Sequence, residues 1–275
     1  MSLGLVDAVV LGVVEGLTEF LPVSSTGHLT LAEGLLGLDV DDPAVTAFTA
    51  VVQSGAILAV LVYFARDLLR LAADFVGGLA SRQRRATPGF RLALGVVVGS
   101  LPIGVVGFAF QDVVAGPVLR SLVTVALALV LWSAVMVLSE RRSTQARGEE
   151  SVTVRDTLLI GLAQCVALVP GVSRSGATIS AGLLLGLDRV AATRLSFFLS
   201  IPALTAAGLL ELPAALGAGV GAGPVLVGSA VSFVVALASI AFLLRFVAGH
   251  PITAFVPYRV ALGLLVLAVI SVQAL

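Results

Sequence analysis

Lysine is absent from all 275 residues, so every fixed basic side chain is an arginine and chemistry that depends on a lysine amine is excluded. Cysteine occurs once, as Cys165, which rules out an internal disulfide and leaves the redox compartment open. A lone cysteine of this kind is ordinarily a small packed residue. Histidine occurs twice, and charged residues are only 12% of the chain with a net charge of zero, so no nucleic-acid partner is expected. What fills the chain instead is apolar: 59% hydrophobic residues and a mean hydropathy of +1.13, beyond the range of ordinary soluble domains. The expected class is an all-α integral membrane protein, a single membrane domain over residues 1–275. The 29 glycines suit close helix packing. The first apolar segment lacks a basic leader and carries Asp7, Glu15 and Glu19, so it is expected to belong to the mature fold rather than to a signal peptide.

Residues 5 to 20 predict a helix of about 24 Å, too short to cross a bilayer comfortably with its carboxylates. Pro22 breaks it, and Ser24, Ser25 and Thr26 offer N-cap chemistry for a second short helix from about Gly27 to Leu38. An acidic turn of Asp39, Asp41, Asp42 and Pro43 follows. Two half-length helices joined by a polar turn suggest a re-entrant hairpin. Crossings are expected at about 46–65, 92–110 and 118–138. The connection from Arg66 to Arg91 holds six arginines and that at 111–117 only Asp112, which puts the first in the cytoplasm and the second outside.

From about 157 the pattern restarts, with a short apolar segment at 157–169, a polar turn PGVSRSGAT (Pro170 to Thr178), a short helix to Leu187, and crossings at about 195–212, 224–245 and 257–274. At a constant offset of 149, positions 11–50 match 160–199 at 11 of 40 residues, including Gly12 on Gly161, Ser24 on Ser173 and Gly27 on Gly176. Shared composition alone would give roughly one in nine. The expected organisation is therefore two repeats, about 1–139 and 157–275, joined by a cytoplasmic connection at about 140–156. Each holds one hairpin and three crossings. Three is odd, so the repeats have inverted topology and both broken turns meet near the midplane.

Glu15 and Glu19 are four apart and share a helix face. Such a pair suggests a divalent cation on oxygen ligands or an acid/base carboxyl; two carboxylates facing water at a helix end is the plainer alternative. Ser24, Ser25, Thr26 and His28 form a set of hydroxyl nucleophiles with a base, of which helix capping accounts for one hydroxyl. Arg174, between Ser173 and Ser175, suits a phosphate bound between helix N-termini, or else an internal ion pair with Glu19. Gln53, with Ser54 and Gly55, fits substrate contact or small-residue packing equally. His250 reads as a loop residue, and Arg259 after Tyr258 as an interfacial anchor or a headgroup ligand.

EGLTEFLPVSSTGH (Glu15 to His28) and PGVSRSGATIS (Pro170 to Ser180) closely resemble the undecaprenyl-diphosphate phosphatase family associated with bacitracin resistance. The likeness extends through QSGAILAVLVYF (Gln53 to Phe64), LGLDR (Leu185 to Arg189), SFFLSIP (Ser196 to Pro202) and Tyr258–Arg259, nearly the whole chain. It implies a multi-pass plasma-membrane enzyme that hydrolyses a C55 polyprenyl diphosphate to the monophosphate carrier of cell-wall synthesis, with its site open to the extracytoplasmic side. Matched residue by residue, the family's acidic pair falls on Glu15 and Glu19, its serine on Ser25, its histidine on His28 and its arginine on Arg174. On this reading Glu15 and Glu19 hold Mg2+ or Ca2+, Arg174 clamps the diphosphate, and Ser25 attacks phosphorus or positions a water. Either Glu19 or His28 is the acid/base. Ser24, Thr26, Ser173, Ser175, Thr178 and Gln53 would line the substrate. A homodimer is left open. The alternative is a polyprenyl-phosphate flippase or another secondary transporter, since inverted repeats with broken helices are transporter architecture. The other phosphatase class that combines serine, glycine and histidine needs a lysine-bearing motif and two working histidines, which this chain lacks.

Overall fold

A computed structural model describes residues 3–40, 42–114, 116–217 and 221–273, so Asp41 of the acidic turn and the expected helix end at 274 lie outside the described residues. The helices are α1 (Leu5–Thr18), α2 (Ser25–Leu35), α3 (Pro43–Tyr63), α4 (Ala65–Ala80), α5 (Pro88–Ala109), α6 (Gln111–Val114), α7 (Pro117–Arg120), α8 (Leu122–Arg142), α9 (Val154–Gln164), α10 (Arg174–Leu184), α11 (Arg189–Gly217), α12 (Ala222–Gly249) and α13 (Val256–Gln273). Among the described residues the one departure from helix, turn and coil is an isolated bridge between Arg147 and Leu187. Six of the helices are long and apolar enough to cross a membrane, and they fall on the six expected crossings. The protein is an all-α, multi-pass membrane protein.

Local chemistry sets the boundaries. Asp42 caps α3 by accepting from the Ala44 N–H, with Pro43 in the first turn, and Thr87 with Pro88 opens α5 in the same way. Thr153 and Asp156 form a reciprocal capping box at the start of α9. The two short hairpins, α1–α2 and α9–α10, have closely matching backbones. Ser24 and Ser173, the residues before α2 and α10, both hold a positive φ, 78° and 76°, which side-chain-bearing residues seldom adopt. Each hairpin ends on a glycine at positive φ, Gly37 and Gly186, again 149 apart.

Helix packing follows a set of pairings that survives exchange of the two halves. α1 and α3 lie on α12, while α9 and α11 lie on α5; α3 meets α11, and α8 meets α13. Glycine makes the closest approaches possible. A β-carbon on Gly12 would stand 2.6 Å from the Gly228 carbonyl of α12, and one on its counterpart Gly161 would stand 1.9 Å from the Gly99 carbonyl of α5. The main core gathers around Phe20, Phe64, Phe197 and Phe198, with Phe20 and Phe197 edge to face at 5.3 Å.

The arginine-rich side is more ordered than its composition suggests. The stretch after Arg66 is mostly the helix α4 rather than an open connection. The 140–156 connection is tied down by ion pairs. Arg147 meets Asp156 at 2.6 Å, Arg194 meets Glu149 at 2.5 Å and Asp67 at 3.1 Å, and Arg189 pairs with Glu140. Burial alone would raise the Asp156 carboxyl, but hydrogen bonds from Arg147 and Thr153 outweigh it and hold the group below its ordinary value.

Candidate active site

The two broken turns meet. The Gly171 N–H, in the second turn, donates to the Ser24 hydroxyl of the first at 3.1 Å, and the Ser175 hydroxyl donates to the Leu21 carbonyl at 3.0 Å. Arg174 reaches across 155 positions to Glu19, Nη2 to Oε1, at 3.2 Å, while its Nη1 donates to the Ser196 carbonyl. The other Glu19 oxygen accepts from the Ser25 hydroxyl at 2.5 Å. Glu19 thus joins a half-buried hydroxyl to a guanidinium contributed by the opposite hairpin. The internal ion pair that the sequence allowed is present, and it is part of the same cluster.

Glu15 lies one turn earlier on α1, 1% exposed, with neither carboxylate oxygen hydrogen-bonded among the described residues. A buried carboxylate without a donor is costly unless a proton or cation joins it. The Arg174 Nε is likewise buried and unpartnered. Hydroxyl oxygens, a metal ion or phosphate oxygens would satisfy these atoms, so the donor set fits an oxygen-bound cation on Glu15, with both Glu19 oxygens already engaged. No group of three or more His, Cys, Asp or Glu side chains able to hold a metal occurs among the described residues. The remaining ligands would have to come from substrate or water.

His28 sits in the first turn of α2. Its Nδ1 is 2.6 Å from the Ser24 carbonyl, which can only accept, so Nδ1 carries a proton. Its Nε2 is 2.6 Å from the Tyr258 hydroxyl, and the two rings stack at 5.5 Å. Of the two acid/base candidates, Glu19 is the one hydrogen-bonded to Ser25; His28 is engaged with α13.

The other sequence candidates divide. Ser173 caps α10 through the Gly176 N–H at 3.2 Å, and Thr178 bonds to the Arg174 carbonyl and the Ser196 hydroxyl. With Ser24 and Ser175, these hydroxyls tie the turns to each other and to α11. Thr26 is exposed beside Ser25. Gln53 is half-buried on α3, outside this hydrogen-bonded set, where α3 presses on α12 with Gly55 against the Ser229 backbone. Ser24 does not cap α2, because its hydroxyl faces the other turn. His250 is exposed at the end of α12, as a loop residue should be.

Arg259 departs most from expectation. It is an internal donor rather than an exposed anchor: it is 0% exposed and donates to the carbonyls of Pro22 (3.0 Å), Gly171 (2.9 Å), Val172 (3.1 Å) and Leu129 (3.4 Å) and to the Ser133 hydroxyl (3.2 Å). Both turns hang on one guanidinium. The sequence pairs Tyr258 with Arg259 but gives neither its role, since their partners lie 87 to 237 positions away for Arg259 and 230 for Tyr258.

Known proteins resemble this chain over nearly its whole length. The family described as bacitracin resistance protein BacA matches residues 8–265. An "Undecaprenyl-diphosphatase 3" of Frankia casuarinae is 53% identical over 272 residues, 98% of each chain. An "Undecaprenyl-diphosphatase 1" of Streptomyces coelicolor is 54% identical over 94% of this chain and 93% of its own. An "Undecaprenyl-diphosphatase" of Acidothermus cellulolyticus is 53% identical over 97% and 96%. With the family matched over nearly its whole length and relatives above half identity, this chain belongs to the bacitracin resistance protein BacA family.

Proposed function

We propose that the protein is an undecaprenyl-diphosphatase: it removes the terminal phosphate of a C55 polyprenyl diphosphate and returns the monophosphate carrier lipid, the step that underlies bacitracin resistance. The observation that carries this reading is the Ser25–Glu19–Arg174 chain, which joins a hydroxyl, a carboxylate and a guanidinium from two hairpins. A carrier protein would have no use for that set together. The names of its relatives agree with it.

Ser25 Oγ attacks the terminal phosphorus and Glu19 takes its proton. The bond from phosphorus to the bridging oxygen breaks, and the carrier leaves as the monophosphate. Glu19 releases that proton to solvent; a base again, it takes a proton from a water that attacks the phosphoserine phosphorus, and passes it to Ser25 Oγ as the P–Oγ bond breaks and inorganic phosphate departs. Arg174 and the open N–H groups at the start of α2 receive the charge that develops on the phosphoryl oxygens. His28, held by Ser24 and Tyr258, supplies a proton or hydrogen bond to the departing monophosphate. A divalent cation, Mg2+ or Ca2+, bound by Glu15 with Glu19 beside it would neutralise diphosphate charge.

The site opens to the extracytoplasmic side of the plasma membrane, and the two repeats are inverted. The six arginines between Arg66 and Arg91, against Asp112 alone at 111–117, support that orientation. Three candidate spans in each half, an odd number, support the inversion. Phosphate release from purified protein given C55 diphosphate is the decisive assay. Activity should vanish with a chelator and return with Mg2+ or Ca2+, and Ser25→Ala or Arg174→Ala should reduce it about a thousandfold. No release, with the lipid moved across a bilayer instead, would make it a carrier.

A further inference from the structure

α4 has three faces. Asp67, Leu68, Leu71, Phe75 and Gly78 turn toward the protein. Leu68 and Leu71 pack on the core, Asp67 pairs with Arg194, and Phe75 stacks on Phe90 at 6.0 Å, with Gly78 against the same ring. Arg66, Arg70 and Asp74 share a second face, which is exposed. The third face carries Ala65, Leu69, Ala72, Val76 and Leu79, at the spacing that aligns side chains along one stripe. Leu69 is 72% exposed, Val76 65% and Leu79 59%, so nothing among the described residues covers that stripe.

We propose that α4 is an interfacial helix, with the Leu69–Val76–Leu79 stripe sunk into the acyl boundary of the bilayer and Arg66 and Arg70 on anionic phospholipid headgroups. Continuity with the membrane helices argues for this occupant. α3 ends at Tyr63, two residues before α4 starts, and α5 starts at Pro88, soon after α4 ends. Both ends of the segment are therefore tied to the membrane boundary, and a helix held there with one apolar, one charged and one protein-facing side lies in the interface plane. Charge points the same way. Arg66 and Arg70 flank the stripe, and Arg82 and Arg84 follow it, all exposed. Anionic headgroups neutralise this excess. A second copy of the chain seated on the stripe would instead bring the like charges of Arg66 and Arg70 together.

The test places a fluorophore on single cysteines in a Cys165→Ser background, at Val76→Cys on the stripe and Asp74→Cys on the charged face, in vesicles of phosphatidylcholine and phosphatidylglycerol. Spin-labelled lipid should quench the label at 76 at least about threefold more than at 74, and aqueous iodide should do the reverse. Spin-labelled phosphatidylglycerol should quench the label at 76 more than spin-labelled phosphatidylcholine, by about fivefold per arginine. That preference should disappear in Arg66→Gln/Arg70→Gln while lipid quenching persists. Equal iodide access at both positions overturns the proposal, as does equal quenching by the two lipids in the parent. Protection from both quenchers, with disulfide formation between Val76→Cys chains, overturns it in favour of a second copy.

Discussion

Replacing Arg259 by methionine keeps an aliphatic stem and removes the guanidinium, which leaves the buried carbonyls of Pro22, Gly171 and Val172 without their donor. Each such acceptor costs about 1–3 kcal/mol when unsatisfied. Part of that sum is offset because the variant no longer buries a charge, so the expected loss of stability is about 3–5 kcal/mol. Catalysis should fall further than stability. Ser24 and Ser173 hold φ values that cost about 1–3 kcal/mol each, and such conformations persist only where the surroundings over-determine them. Arg259 contributes to both turns. Ser25 and Arg174 each follow one of the strained serines, so relaxation of the turns separates the hydroxyl from the guanidinium, and about 1 Å of misplacement can cost on the order of a hundredfold. Thermal unfolding in detergent and phosphate release on the same preparation read the two effects. Arg259→Lys, a point charge able to serve fewer carbonyls, should fall between parent and methionine in both. A methionine variant that melts with the parent refutes the clamp. If that variant also has a raised KM at unchanged kcat, Arg259 contacts the substrate instead.

Three further outcomes follow from the same geometry. Because Ser25 and Glu19 share one 2.5 Å hydrogen bond, Ser25→Ala combined with Glu19→Gln should release phosphate no more slowly than the worse single variant, whereas multiplying defects would mean that the two act separately. Tyr258→Phe removes the partner of His28 Nε2 from a half-exposed ring, so kcat should drop roughly tenfold with melting unchanged; an unaltered kcat would leave Tyr258 with no part in holding His28. For Asp156, the folded-state value lies below the ordinary one, so its stabilisation is full above about pH 4, the unfolded carboxyl's range, and is lost as pH falls through the folded value. Asp156→Asn should therefore cost about 1 kcal/mol at pH 7 and progressively less below pH 4, and a pH-independent difference would show that charge contributes nothing there.

The six crossings and both hairpins were legible because their signals are local: apolar run length, proline in the turn, and the 149-residue offset. Glu15, Glu19, Ser25 and His28 stood out because carboxylates and a histidine inside apolar sequence require a reason, and Arg174 because it replaces a serine in the second copy. Arg259 could not be assigned in that way. A charged residue near a helix start resembles an interfacial anchor, and only the convergence of two distant turns turns it into an internal donor. α4 was missed for a related reason, since six arginines between Arg66 and Arg91 obscure the apolar stripe running between two of them.

The structure also separates what the repeat makes look alike. Ser24 and Ser173 share a backbone conformation, yet Ser173 caps its own helix and Ser24 gives its hydroxyl to Gly171. The first turn of α2 is consequently left without a side-chain cap, and uncapped N–H groups at a helix start favour an anion. Near the C-terminal end of α1, Glu15 is an ionisable carboxyl where the equivalent Gln164 is a neutral amide, although both are buried with their side-chain oxygens unpartnered. A cation at Glu15 and a phosphate at α2 would each satisfy groups that the first hairpin leaves open. The second hairpin, capped and uncharged at these positions, supplies Arg174 to the first. Reciprocal exchange follows from this: Ser24→Ala should loosen the contact between the turns without freeing any new N–H on α2, whereas Ser173→Ala should uncap α10 and shift Arg174 away from Glu19.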